Sequence, residues 1–125
     1  MRLKHIALNV KNKEELTNFY QDILGFHFVY RFDLKAAYAL KIFGFEKEIE
    51  VFVYSNGNID LELFVFPEKT KQGFTHICLE MDDCETVAAA CIKAGYSTIR
   101  IEREEKDALL FVMDKAGNKF ELKNW

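Results

Sequence analysis

Lys4-His5-Ile6-Ala7-Leu8 is matched 71 residues further along by Thr75-His76-Ile77-Cys78-Leu79, and that echo decides the fold. It continues at an offset of 70 from Ile23-Leu24-Gly25-Phe26 to Lys93-Ala94-Gly95-Tyr96, and at an offset of 59 from Asp60-Leu61-Glu62-Leu63 to Lys119-Phe120-Glu121-Leu122. Each half reads as a strand bearing a His, a helix ended by Gly, and a hairpin bearing a Glu. The drop in offset places 11 surplus residues in the first half, between Gly25 and Glu62. Two copies that each leave an apolar face uncovered have reason to associate. The expectation is one duplicated domain, with module one at about 1–68, an inserted segment at about 34–45, and module two at about 73–125.

A chain of 125 residues can bury a core without metal or disulfide staples, which makes any bound metal functional rather than structural. The 12 Phe are more than a small core usually holds, so some are expected to line a pocket. A net charge of −3 with both signs interspersed lacks the one-sided basic footprint of a nucleic-acid binder. Met1-Arg2-Leu3-Lys4-His5 runs straight into a strand pattern, and no long apolar run follows. That predicts a cytoplasmic protein without a membrane partner. Cys78, Cys84 and Cys91 lack the close pairing of a zinc or redox motif and read as buried or incidental thiols.

Strand parity sorts the polar residues. Ile6, Leu8 and Val10 share one face, with His5, Ala7 and Asn9 on the other. Leu61, Leu63 and Val65 oppose Asp60, Glu62, Phe64 and Phe66. Ile77, Leu79 and Met81 oppose Phe74, His76, Cys78 and Glu80, while Phe120 and Leu122 oppose Lys119, Glu121 and Lys123. His5, Glu62, His76 and Glu121 thus fall opposite the helix-packed rows. Helices are predicted over about Lys13 to Leu24, with Leu16, Phe19, Tyr20 and Ile23 inward, and over about Cys84 to Ala94, with Val87, Ala90, Cys91 and Ala94 inward. Asp82 and Asp83 are cap candidates for the second.

Phe26, Phe28, Tyr30 and Phe32 form an alternating row for core or pocket, and Asn56-Gly57 marks a hairpin between strands at about Ile49 to Tyr54 and Ile59 to Phe66. Leu34 to Phe45 supports either a strand, with Tyr38, Leu40 and Ile42 alternating, or a helix capped by Asp33 and ended by Gly44. The helix is the reading taken, placed to cover a pocket mouth. Glu102-Arg103-Glu104-Glu105-Lys106-Asp107 reads as a solvated hairpin loop, and His27, with no counterpart in the second half, as a surface imidazole.

Phe19-Tyr20-Gln21-Asp22-Ile23-Leu24-Gly25-Phe26 and Asp114-Lys115-Ala116-Gly117-Asn118-Lys119-Phe120-Glu121-Leu122 resemble two segments of the vicinal oxygen chelate superfamily. That superfamily includes glyoxalase I, methylmalonyl-CoA epimerase, extradiol dioxygenases, fosfomycin-resistance enzymes and bleomycin-binding proteins. The resemblance implies an α+β fold of two tandem βαβββ modules, their curved mixed sheet set around a central metal cleft. Among its branches the set His5, Glu62, His76 and Glu121 is similar to that of glyoxalase I-like metalloenzymes. Asn9 and Phe66 stand where bacterial glyoxalase I carries an Arg and an Asn that contact glutathione.

Two imidazoles and two carboxylates suit a divalent ion such as Ni, Zn, Co, Mn or Fe, with two positions left for water or substrate. The expected function is therefore a metal-dependent lyase or isomerase acting through a metal-bound enediolate on a small 2-oxo or thiol-adduct substrate, with Glu121 and Glu62 as candidate proton carriers. An α-carbon epimerase of the methylmalonyl-CoA type and a non-catalytic small-molecule or antibiotic-binding protein are the alternatives. Phe64 and Phe66 are candidates for an apolar pocket wall, or for core or dimer interface. Asn9 and Lys123 are candidates for an anionic substrate end. Sheet edges and surplus aromatics predict a homodimer.

Overall fold

A computed structural model describes residues 3–68, 73 and 75–125. The chain forms two compact units, Met1–Glu68 and Lys69–Trp125. The first contains β1 (Ile6–Val10), a π-helix (Leu16–Gln21), β2 (His27–Leu34), α1 (Ala36–Phe43), β3 (Ile49–Ser55) and β4 (Asp60–Val65). The second contains β5 (Ile77–Met81), α2 (Cys84–Lys93), β6 (Ser97–Arg103), β7 (Lys106–Met113) and β8 (Lys119–Asn124).

Each unit folds one four-stranded mixed sheet with the same topology, β1-β4-β3-β2 in the first and β5-β8-β7-β6 in the second. The first strand lies parallel to the last, and the other pairs are antiparallel. This is the α+β fold of tandem βαβββ modules. Among the described residues the only extra element in the first unit is α1, between β2 and β3. The corresponding strands β6 and β7 are joined by a tight turn at Glu104-Glu105, with Glu105 at φ 57°. The charged run is consequently the exposed end of a hairpin, shorter as a loop than its six charges suggest.

In the first unit Leu16, Phe19, Tyr20, Phe26, Val10, Leu61 and Leu63 are all buried, and Val51, in register with Phe64, is buried on the other face of the sheet. Burying each such side chain contributes about 1.5–3 kcal/mol. The expected helix is present but winds as a π-helix: the Asp22 and Leu24 amides donate to the carbonyls of Thr17 and Phe19, five residues back. Glu15 is buried beside Leu16, which the apolar stripe alone did not foretell. Gly25, at φ 74°, closes the helix in the left-handed conformation that glycine adopts without strain.

The Asn56-Gly57 turn joins β3 and β4 as expected, with Asn56 Oδ1 accepting from the amides of Asn58 and Ile59 at 3.0 and 2.9 Å. α1 confirms the helical reading of the insert, but Asp33 does not cap it. Lys35 occupies that position without a side-chain bond, while Asp33 pairs with Arg31. Phe28 and Tyr30 are not buried in a core. β2 is the terminal strand of its sheet, and a bulge between Phe28 and Tyr30 leaves both residues and Val29 half-exposed.

In the second unit Asp83 caps α2, accepting from the Thr86 amide at 3.1 Å, while Asp82 accepts from the Trp125 indole. The buried stripe of α2 is Cys84, Ala88 and Cys91, rotated slightly from the expected one. Val87 and Ala90 lie at its margin and Ala94 is exposed. Leu79, Leu110, Val112, Phe120 and Leu122 complete that core. Phe74, expected on the ligand row, lies outside the described residues. No helix among the described residues is long and apolar enough to cross a membrane.

Candidate metal centre

The parallel pairing of first and last strand builds the same local geometry in each unit. In the first, Ala7 lies opposite Glu62, and His5, two residues earlier, projects from the same face of the pleat. His5 Nε2 stands 3.5 Å from Glu62 Oε2. In the second, Cys78 lies opposite Glu121, and His76 Nε2 stands 3.6 Å from Glu121 Oε2. The imidazoles are 44% and 43% exposed and the carboxylates 19% and 13%, so each pair has a shielded acid and an open base.

The spacing suits two donors on one ion. Ligand atoms about 2.1 Å from a metal are separated by roughly 3.0 Å at a right angle and roughly 3.4 Å at the tetrahedral angle. Among the described residues no group of three or more His, Cys, Asp or Glu side chains is gathered that could hold one ion.

The surroundings of the two pairs differ. In the second unit Lys123 Nζ lies 3.3 Å from Glu121 Oε1, and the Phe111 ring meets His76 edge-on at 5.8 Å between centroids. Cys78, the counterpart of Ala7, is exposed beside Glu121. Partial burial, then the Glu121 charge, holds its thiol above the ordinary cysteine range. Cys84 and Cys91 are buried, and desolvation pushes Cys91 up to about 11.

In the first unit Asn9, Phe64 and Phe66 border an apolar pocket of about 180 Å³. Lys123, grouped with them on sequence, belongs to the other unit and is an ion-pair partner of Glu121. Sequence reading missed Phe43 and Phe45. They flank Gly44 at the end of α1, and their rings meet Phe64 at 5.7 Å and Phe66 at 5.1 Å. Aromatic residues on both sides of a helix-ending glycine were the available signal. His27 is exposed, in keeping with a surface imidazole.

The sequence profile of the Glyoxalase/Bleomycin resistance protein/Dioxygenase superfamily matches residues 2–122. The chain belongs to that superfamily. Among solved structures of similar fold, a glyoxalase family protein from Enterococcus faecalis is 22% identical, with 97% of this chain and 95% of that one covered and a TM-score of 0.69. The fosfomycin resistance protein FosX from Listeria monocytogenes is 15% identical, with 100% and 93% covered and a TM-score of 0.75. A mutant of that FosX, complexed with Mn(II) and 1S,2S-dihydroxypropylphosphonic acid, is 15% identical, with 97% and 87% covered and a TM-score of 0.72. At these identities the likeness shows a shared fold. No curated protein matches the chain significantly.

Proposed function

We propose that the two pairs, His5 with Glu62 and His76 with Glu121, together hold one divalent ion among Ni, Zn, Co, Mn and Fe, and that the protein is a glyoxalase I-like lyase or isomerase of a small 2-oxo or thiol-adduct substrate. The repetition of a His–Glu pair at 3.5 and 3.6 Å on equivalent strands of both units carries this reading. The Mn(II) bound by the FosX relative supports a divalent metal.

When bound, the ion supplies Lewis acidity to the oxygens of a carbonyl substrate. His5 and His76 would hold it through Nε2, beside the carboxylates of Glu62 and Glu121. Either carboxylate would take the proton from the hydroxyl-bearing carbon beside the carbonyl and return it to the former carbonyl carbon, while the hydroxyl proton passes to the former carbonyl oxygen. One proton leaves and one returns, so substrate and product share a formula, as isomerisation requires. The shielding of both carboxylates limits competition from bulk water for that proton.

The test is the metal content of protein purified without chelator, followed by methylglyoxal turnover with and without added thiol. Stoichiometric metal and chelator-sensitive turnover are expected. Metal-free protein that neither takes up an ion nor turns over substrate defeats the proposal in favour of a binding module.

A further inference from the structure

The face of β1 and β4 that carries His5 and Glu62 continues along both strands into the apolar pocket. Ala7 is in register with Glu62 and Asn9 with Phe64, so the pocket begins one pleat repeat, about 7 Å, beyond the His–Glu pair. Its floor is the buried pair Ile49 and Phe66. Its rim is Phe43 and Phe45, 49% and 43% exposed, so solvent and a ligand can reach the space between the rings.

α1, which has no counterpart among the described residues of the second unit, delivers that rim. Ala39 seats the helix on Ile49 and Phe66, and the chain past Gly44 brings Phe45 over Phe66. Asn9 is the single polar side chain among the lining residues and none is charged. Such a lining penalises an incoming ammonium, which would lose its hydration without an anionic partner, and the cation of Lys47, 5.7 Å from the Phe66 ring centroid, stands beside the floor. At about 180 Å³ the pocket compares with apolar cavities of about 150 Å³ that accept benzene.

We propose that this pocket receives an uncharged aryl substituent carried close to the coordinating oxygens of the substrate, and that Phe43 and Phe45 set that preference. This deepens the proposed metal-dependent function and rests on it. An α-keto or α-hydroxy compound with a phenyl-sized end fits both the His–Glu pair and the space beside it.

Two hydroxamates with the same chelating group separate the pocket from the metal. Isothermal titration of Mn(II)-loaded protein should show benzohydroxamate binding about tenfold or more tighter than acetohydroxamate, from burial of the ring. Phe45→Ala and Phe43→Ala should each shrink that ratio severalfold. Equal affinity of the two hydroxamates for the unaltered protein overturns the pocket proposal and leaves the metal reading standing, with no variant needed. If the protein takes up none of Ni, Zn, Co, Mn and Fe(II), the metal reading fails, and the pocket is judged by saturation-transfer NMR with benzyl alcohol on metal-free protein. A signal lost in Phe45→Ala supports an aryl site there, and its absence from the unaltered protein overturns it.

Discussion

Glu121→Gln separates the metal site from the fold most cleanly. The change preserves side-chain shape and removes one negative charge, from a carboxylate 3.6 Å from His76 Nε2. Replacing even groups that only orient a ligand costs about 10–100-fold in metal affinity. Loss of a charged donor should therefore cost at least about 100-fold, or about 2.7 kcal/mol. The fold should scarcely register it. Phe120 and Leu122 on the opposite face stay buried, and the ion pair lost with Lys123, itself about half exposed, is worth about 0–1 kcal/mol. In a domain of this size that is a shift of at most about 5 °C in Tm.

Phe120→Ala, one residue away and facing the core, should instead cost about 3–5 kcal/mol of stability. Calorimetric titration with Mn(II) and thermal melts of metal-free protein give both numbers for each variant. Glu62→Gln should reproduce the Glu121→Gln result, because its pair has the same spacing. Stoichiometric metal binding at unaltered affinity, with full activity, in Glu121→Gln would show that Glu121 is not a ligand.

We expect a homodimer. If the halves are exchanged between copies, mixing inactive His5→Ala and His76→Ala proteins restores activity; if each chain completes its own site, mixing restores nothing; and a monomer by sedimentation at micromolar concentration defeats the dimer. Ala39→Leu should cost about 1–3 kcal/mol by overpacking the seat of α1 and should also weaken aryl binding; an unchanged Tm would show that α1 is not anchored there. Cys78 alone should react with a thiol reagent in the native protein, slowly because its thiol is held above the usual range, and all three cysteines in denaturant; native labelling of Cys91 would contradict its burial. Because the native Cys91 pKa is raised, the buried thiol contributes stability below the ordinary value of 9.0 that is lost as pH climbs to about 11, and Cys91→Ala should flatten that part of a Tm-against-pH curve.

The duplicated pattern and strand parity were legible because both are local: a residue's face follows from its place in the pleat, and a glycine that closes a helical stripe can take the positive φ that ends it. Gly25, Gly44 and Gly95 all did so. The facing of His5, Glu62, His76 and Glu121 away from the cores followed from the same rule. What escaped depends on partners distant in sequence. The π winding of Leu16–Gln21 and the burial of Glu15 are set by how the helix meets its sheet, which an apolar stripe does not encode. Asp33 has the right chemistry for a cap, but Arg31, two residues earlier on the exposed strand, takes its carboxylate. The pocket rim was missed because Phe43 and Phe45 meet Phe64 and Phe66 only after the chain has turned back through β3 and β4.

β2 carries His27-Phe28-Val29-Tyr30-Arg31-Phe32, a run rich in β-formers, at the end of its sheet. Such a strand invites another molecule to zip alongside, the first step towards amyloid. The bulge between Phe28 and Tyr30 breaks the even ladder that an incoming strand would need, and Arg31 and Asp33 place charges just beyond it. The irregularity therefore makes the end strand a poor template for a fibril to copy.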